Sequence, residues 1–164
     1  MSGIIDTVGS KSGIVGSDVY PAGHVIRVSQ THLGSNVYST GAAVDVMSAT
    51  IQTDSTSDWI LAYFQGSVQL YGNSVTTTMY GDCFLYDVTN SNAQVGYCQI
   101  YNSGTGNSSQ ANIITGGSIS TRFHPASATG SYEIKLTIDQ DGGRLGVKGD
   151  ATGSSSLTLW YIKG

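Results

Sequence analysis

The chain has 164 residues, of which 11% are charged, 39% are hydrophobic, 22 are Gly and 2 are Pro. An average globular chain carries roughly 25% charged residues, and a helical bundle or coiled coil needs Glu, Lys, Leu and Ala in quantity, so this composition excludes both a charge-rich disordered chain and a bundle. The net charge is −4, with seven Lys and Arg spread singly, which removes the basic stripe that phosphate neutralisation on a nucleic acid requires.

The first twenty residues stand apart. Short apolar pairs (Ile4-Ile5, Ile14-Val15) and Val8 are set among Gly and Ser around Gly9-Ser10-Lys11-Ser12-Gly13. The segment is too apolar for a free linker and too broken for a strand, so residues 1–20 read as an arm that becomes ordered on a partner, with Ile4, Ile5, Val8, Ile14 and Val15 as its docking side chains. The Walker spacing is absent, so the Gly-Ser-Lys-Ser run is not a phosphate loop. No basic segment precedes a long apolar stretch, so no secretory signal is expected, and no apolar run approaches about 18 residues, so no membrane insertion is expected.

From Pro21 to Gly164 the apolar residues alternate with period two and never recur at helical spacing, which predicts an all-β domain, an antiparallel β-sandwich of jelly-roll type. In chain order the predicted strands are His24–Thr31, Ala43–Ile51, Asp58–Leu70, Thr76–Val88, Gln94–Tyr101, Asn112–Phe123, Ser131–Asp139, Leu145–Lys148 and Leu157–Ile162. The clearest is Ser131–Asp139, where Tyr132, Ile134, Leu136 and Ile138 fall on one face and Glu133, Lys135, Thr137 and Asp139 on the other. The run Trp59-Ile60-Leu61 to Tyr63-Phe64 is too continuous to be wet on both faces, so it and Leu157–Ile162 are expected in the core and in subunit packing. Turn residues recur at roughly 8–12-residue spacing, as sandwiches require. Asp141-Gly142-Gly143, between two strand patterns, is expected to form a tight hairpin.

No catalytic constellation emerges. There is no Gly-x-Ser-x-Gly elbow, and His24, His32 and His124 sit at strand ends, where imidazoles contact backbone or water. The chain has a single glutamate, Glu133. Its aspartates include the pairs Asp54/Asp58 and Asp82/Asp87, which on paper could serve a glycosidase but read more simply as turn and loop starts. Asp139-Gln140-Asp141-Gly142 echoes the first half of a calcium loop but lacks the distal bidentate Glu, and the hairpin explains it. Cys83 and Cys98 lack zinc-knuckle spacing and are expected to be reduced strand residues, with a cross-strand disulfide as the alternative. No enzyme activity, metal or cofactor is expected. What remains is surface recognition. Tyr, at ten, outnumbers Phe and Trp together, at three and two. Tyr71, Tyr80 and Tyr101, beside Gly- or Asn-rich loops, are the candidates for stacking on sugar rings, with subunit contacts as the competing role. Low charge also leaves sheet edges and outer patches unguarded, for which closed oligomerisation is the usual remedy.

Two ends of the chain carry a resemblance. Ser2-Gly3-Ile4-Ile5-Asp6-Thr7-Val8-Gly9-Ser10-Lys11-Ser12-Gly13-Ile14-Val15-Gly16 resembles a segment of virion proteins of marine and freshwater bacteriophages, often described as tail-fibre-like. Pro21–Val28 and Ser155–Ile162 resemble the start and end of the β domain of those proteins, while residues from about 36 to 127 resemble them in strand rhythm alone. Such domains are similar to trimeric jelly-roll knobs of the tumour-necrosis-factor type. The resemblance implies a non-enzymatic homotrimer on the virion, decorating the capsid or forming a short fibre or knob, anchored by its arm to other virion proteins. A receptor-binding fibre tip, or a lectin-like module for a host surface glycan, is the alternative.

Overall fold

The computed structural model describes residues 21–72, 79–102, 112–127, 130–140, 143–149 and 155–164. The arm residues Ile4, Ile5, Val8, Ile14 and Val15 lie outside the described residues, as do Thr76 to Thr78 at the start of one predicted strand.

The described residues form ten strands and no helix: β1 (Val25–His32), β2 (Val37–Ser39), β3 (Val44–Thr53), β4 (Trp59–Gly72), β5 (Met79–Asp87), β6 (Ala93–Asn102), β7 (Asn112–Phe123), β8 (Gly130–Asp139), β9 (Gly143–Val147) and β10 (Ser156–Ile162). They build two antiparallel sheets, an all-β sandwich. The larger runs β1-β10-β4-β9-β2, with β7 along the remaining edge of β4; the smaller runs β3-β8-β5-β6. Long β4 organises the larger sheet. On one side it pairs with β7 from Ile60 to Tyr71, and on the other with β10 from Trp59 to Gln65 and then with β9 from Val68 to Gly72.

The period-two pattern sets which side chains face the interior. Tyr132, Ile134, Leu136 and Ile138 of β8 are fully buried, as are Ile60, Ala62, Phe64 and Val68 of β4 and Leu157, Leu159 and Tyr161 of β10. Each large apolar side chain buried this way is worth roughly 1.5–3 kcal/mol. The continuous apolar run at the start of β4 divides by parity, its even positions entering the core and Trp59, Leu61 and Tyr63 staying half-buried on the outer face.

Two tyrosines at one end of the core carry their hydroxyls to buried carboxylates. The Tyr161 hydroxyl donates to Asp58 Oδ2 at 2.6 Å and accepts the backbone N–H groups of Asp54 and Ser55. The Tyr132 hydroxyl donates to Asp87 Oδ2 at 2.6 Å and accepts the Ala126 N–H, while Asp87 Oδ1 caps the N–H of Asn90. A buried phenol and a buried carboxylate are each costly alone. Paired, they tie the loops at that end of the sandwich to its interior. Burial, with the adjacent Asp87 carboxylate, pushes the Tyr132 phenol up to about 12.

One predicted connection is wrong. Asp141-Gly142-Gly143 does not join a hairpin, because β8 and β9 belong to different sheets, and β9 pairs with β2 and β4. Leu145 and Val147 bury completely in the larger sheet, so the chain crosses between layers there. Strand β2, only Val37–Ser39, is too short to leave an alternation in the sequence. Cys83 and Cys98 are direct cross-strand partners, both as free thiols. Burial first, then the neighbouring Cys98 and Asp82, pushes the Cys83 thiol up to about 12, which makes it a poor nucleophile.

Candidate functional site

The two outer faces of the sandwich differ in chemistry. On the larger sheet, register places Val28, Trp160, Leu61 and Arg122 in one row across β1, β10, β4 and β7, and Val25, Ile162 and Trp59 in the next. Val28 is 58% exposed and Val25 43%, both high for large apolar side chains. The Trp160 ring lies 6.2 Å from that of Tyr63, and Arg122 sits 4.3 Å over the Trp59 ring, which also packs at 3.5 Å against His124. This is a contiguous apolar and aromatic strip. Only Arg122 brings formal charge to these rows.

On the smaller sheet the outer face follows from the alternation of β5. Gly81, Cys83 and Leu85 point inward, so Asp82, Phe84 and Tyr86 point outward, beside exposed Tyr80. Their partners on β6 continue the face: Asp82 opposes Gln99 and Phe84 opposes Tyr97. The Phe84 ring lies 5.8 Å from Tyr86 and 5.4 Å from Tyr97, which is 50% exposed. Asp82 Oδ1 accepts the Tyr97 hydroxyl at 2.8 Å and the Gln99 amide N–H at 3.0 Å. That hydrogen bond to Asp82 raises the Tyr97 phenol above its ordinary value. The result is a row of rings beside a carboxylate already held in place by two donors, the mixture of flat apolar faces and oriented polar groups that suits a ligand with both C–H faces and hydroxyls.

Of the tyrosines singled out in the sequence, Tyr80 and Tyr101 are direct partners on β5 and β6. Tyr71 lies on β4 of the other sheet, opposite Asn112 and Arg144, so the three do not converge; the side chains of Tyr71 and Tyr101 lie outside the description. Sequence reasoning missed Asp82, Phe84, Tyr86, Tyr97 and Gln99 as a group. The signal was present in the same period-two reading that identified the strand, since Tyr80, Asp82, Phe84 and Tyr86 share one parity. The pairing of β5 with β6, which completes the face, left no local mark.

The paired carboxylates do not form a catalytic couple. Asp54 is ion-paired with Arg27 at 2.6 Å, and Asp58 is buried against Tyr161, Lys163 and the Gly164 N–H. Asp82 faces outward and Asp87 inward on the same strand, so they share no cleft. The His124 ring nitrogen Nδ1 contacts the Asp58 carbonyl at 2.8 Å, a backbone contact of the expected kind. Lys135, on the same face of β8 as Glu133, pairs instead with Asp45 of β3 at 3.0 Å. With the Thr137 hydroxyl at 2.8 Å it outweighs the desolvation of Asp45 and holds that carboxyl below its usual range. A cavity of about 270 Å³ beside this pair is lined by Asp45, Ser48, Glu133 and Lys135 among others, so Lys135 offsets one of its two carboxylates. Among the described residues no group of three His, Cys, Asp or Glu side chains is placed to hold a metal ion.

No protein-family model matches the chain, and no curated protein matches it in sequence. Among solved structures the chain is similar to the Eiger TNF from S. frugiperda, with 10% identity and a TM-score of 0.44 over 85% of this chain and 94% of that one. It is similar to the insecticidal delta-endotoxin Cry8Ea1 from Bacillus thuringiensis, with 11% identity and a TM-score of 0.42 over 79% of this chain and 20% of that one. A third likeness, to SACOL2612, a CocE/NonD family hydrolase from Staphylococcus aureus, has 7% identity and a TM-score of 0.39 over 80% of this chain and 34% of that one. At these identities and scores the likenesses carry no functional argument.

Proposed function

We propose that this chain is a non-enzymatic surface module of a bacteriophage virion. It assembles as a homotrimer that decorates the capsid or forms a short fibre or knob, and residues 2–20 anchor it to another virion protein. The observation that carries the oligomer is the apolar strip of Val28, Trp160, Leu61 and Trp59 on the outer face of the larger sheet. A soluble domain that left this strip in water would expose a patch of the kind that marks an interaction surface. A closed ring of copies covers it with no free edge.

Light scattering after gel filtration is expected to give about three times the 17.1 kDa chain mass. Leu61→Arg, which puts a charge on the strip without entering the core, is expected to return the mass of one chain. A wild-type mass of one chain overturns the trimer. Particles assembled with a chain lacking residues 2–20 are expected to lose the module while the truncated chain stays folded, and retention overturns the anchoring role.

A second reading is favoured by the ring-and-carboxylate face of β5 and β6. It gives the outward surface of the module a saccharide-binding role, with Tyr80 and Tyr97 stacking on sugar rings and Asp82 accepting hydroxyls. Tyr97→Ala removes both a ring and one of the two donors that orient Asp82. Its expected effect is a loss of at least tenfold in affinity for whichever surface polysaccharide the wild type retains on a glycan array, with the mass unchanged. An array with no binding by the wild type removes this reading and leaves the trimer standing.

A further inference from the structure

The chain has two cysteines, and the fold sets them against each other. Cys83 of β5 and Cys98 of β6 are direct register partners. Such partners in an antiparallel pair lie with Cα atoms about 4.5 or 5.5 Å apart and with side chains on the same side of the sheet. A disulfide spans Cα separations of about 4.4–6.8 Å, so either kind of pair brings two cysteines within bonding range without moving a strand. The shared side is the inner one. Cys83 is 1% exposed within the core, and Cys98 packs against that core from the edge. The parity of β6 agrees, since Tyr97 and Gln99 on either side of Cys98 turn outward to Asp82. After burial, Cys98 is the next largest influence raising the Cys83 thiol, as close neighbours require.

The two thiols differ in access. Strand β6 is the edge of the smaller sheet, with β5 as its one sheet neighbour among the described residues. Cys98 is half-buried there, and its Sγ reaches the Gln99 carbonyl at 3.9 Å, a weak contact for a thiol. A dissolved reagent therefore meets Cys98 first, with Cys83 behind it. An accessible thiol in front of a second one is the arrangement of an attacking and a resolving cysteine.

We propose that Cys83 and Cys98 are a thiol pair that low-molecular-weight disulfides oxidise to a cross-strand disulfide, joining edge strand β6 to β5. In the first step the Cys98 thiolate attacks one sulfur of the external disulfide. That S–S bond breaks, leaving a mixed disulfide on Cys98 and one free thiolate, which takes up a proton. Cys83 then gives up its proton, and its sulfur attacks the Cys98 sulfur and expels the second thiolate. The two protein thiols have lost two electrons and two protons, and the external disulfide has become two thiols. The second step is the slow one, because little of the Cys83 thiol is ionised near neutral pH. The bond lies on the inner side of the strand pair whose outer side carries the Tyr97, Gln99 and Asp82 cluster. It gives an open sheet edge a covalent tie to its neighbour. The pair stands independently of the trimer and of saccharide recognition.

Oxidised glutathione added to the reduced full chain tests the pair. Mass spectrometry is expected to show a transient adduct of one glutathione, then a chain lighter than the reduced form by two hydrogens, with a peptide map joining Cys83 to Cys98. Decay of the adduct is expected to quicken about tenfold per pH unit between about pH 7 and 9, following the Cys83 thiolate. A decay independent of pH overturns Cys83 as the attacking group. Cys83→Ala is expected to stop at the adduct, and Cys98→Ala to react at least tenfold more slowly than the wild type. Oxidation is expected to raise the melting temperature of the wild type by several degrees, since the cross-link restricts the unfolded chain, and to leave that of Cys98→Ala unchanged. Circular dichroism of the reduced proteins establishes that each variant is folded, and the wild-type mass stands without either of them. A wild type that keeps both thiols, holds the adduct without closing it, or links two chains instead overturns the proposal.

Discussion

Replacing Asp58 by Ala is expected to cost about 3 kcal/mol of stability, the scale of removing one partner from a buried charged network. In a chain of this length that lowers the melting temperature by roughly 6–12 °C. The carboxylate lies 1% exposed at the entry to β4 and gathers three donors from the far end of the chain: the Tyr161 hydroxyl at 2.6 Å, the Gly164 N–H at 3.0 Å and Lys163 Nζ at 3.1 Å. Without it the phenol of Tyr161 keeps only the distant Ser55 carbonyl at 3.5 Å as an acceptor, and Lys163 and Gly164 lose their side-chain anchor at the entry to β4. Asp58→Asn, which keeps an acceptor and loses the charge, is expected to fall between wild type and Ala in urea unfolding, and equal stability of Asp58→Ala and wild type would refute the clamp. The same network sets a pH dependence. Desolvation raises the Asp58 carboxyl, but the Tyr161, Gly164 and Lys163 contacts outweigh it and hold it below the usual carboxylate range. A carboxyl depressed on folding stabilises the native state above its unfolded value, and that contribution is lost as pH falls through the folded value. The wild type is therefore expected to lose more stability than Asp58→Asn as pH falls below about 4.

Leu136→Ala is expected to cost about 3–4 kcal/mol, the middle of the range for a large-to-small change at a fully buried site. Leu136 is central to the smaller sheet, opposite Met47 on β3 and Leu85 on β5, with no exposure. The walls are rigid strands on both sides, so a cavity there closes poorly. The informative comparison is Leu61→Ala, the same chemical change at a half-buried position of the outer strip. Measured by urea unfolding, Leu61→Ala should lie within about 1 kcal/mol of the wild type, since surface changes move stability little. A Leu136→Ala loss below about 1 kcal/mol would show that the two faces of the strands are not distinguished by burial as described.

Much of the fold was legible along the chain because a strand's inside and outside are a local property. Side chains alternate across the backbone, so Tyr132, Ile134, Leu136 and Ile138 announce one buried face whatever strand they pair with. The same alternation exposed Tyr80, Asp82, Phe84 and Tyr86 as a set sharing an outward parity, though the sequence alone offered no reason to favour that set over others.

Pairing is not local, and there the sequence was silent or misleading. Asp141-Gly142-Gly143 has the composition of a hairpin, but the burial of Leu145 and Val147 against β4 and β2 carries the chain into the other sheet. Composition describes how tightly a chain can turn, and the packing of the next strand decides where the turn leads. Tyr71 and Tyr80 sit in similar local settings, nine positions apart by their numbers, and end on different sheets. Asp82 and Asp139 are distant in sequence and become neighbours only through the β5–β8 register. Asp58 likewise reads as a loop start until β10 brings Tyr161 to it. By itself the sequence determined that the domain is all-β and which side chains line its interior, because period-two alternation and the hydrophobic effect act residue by residue. Only the tertiary structure decided which outer faces and which polar groups meet, because strand order and register are chosen by the burial of the whole core at once.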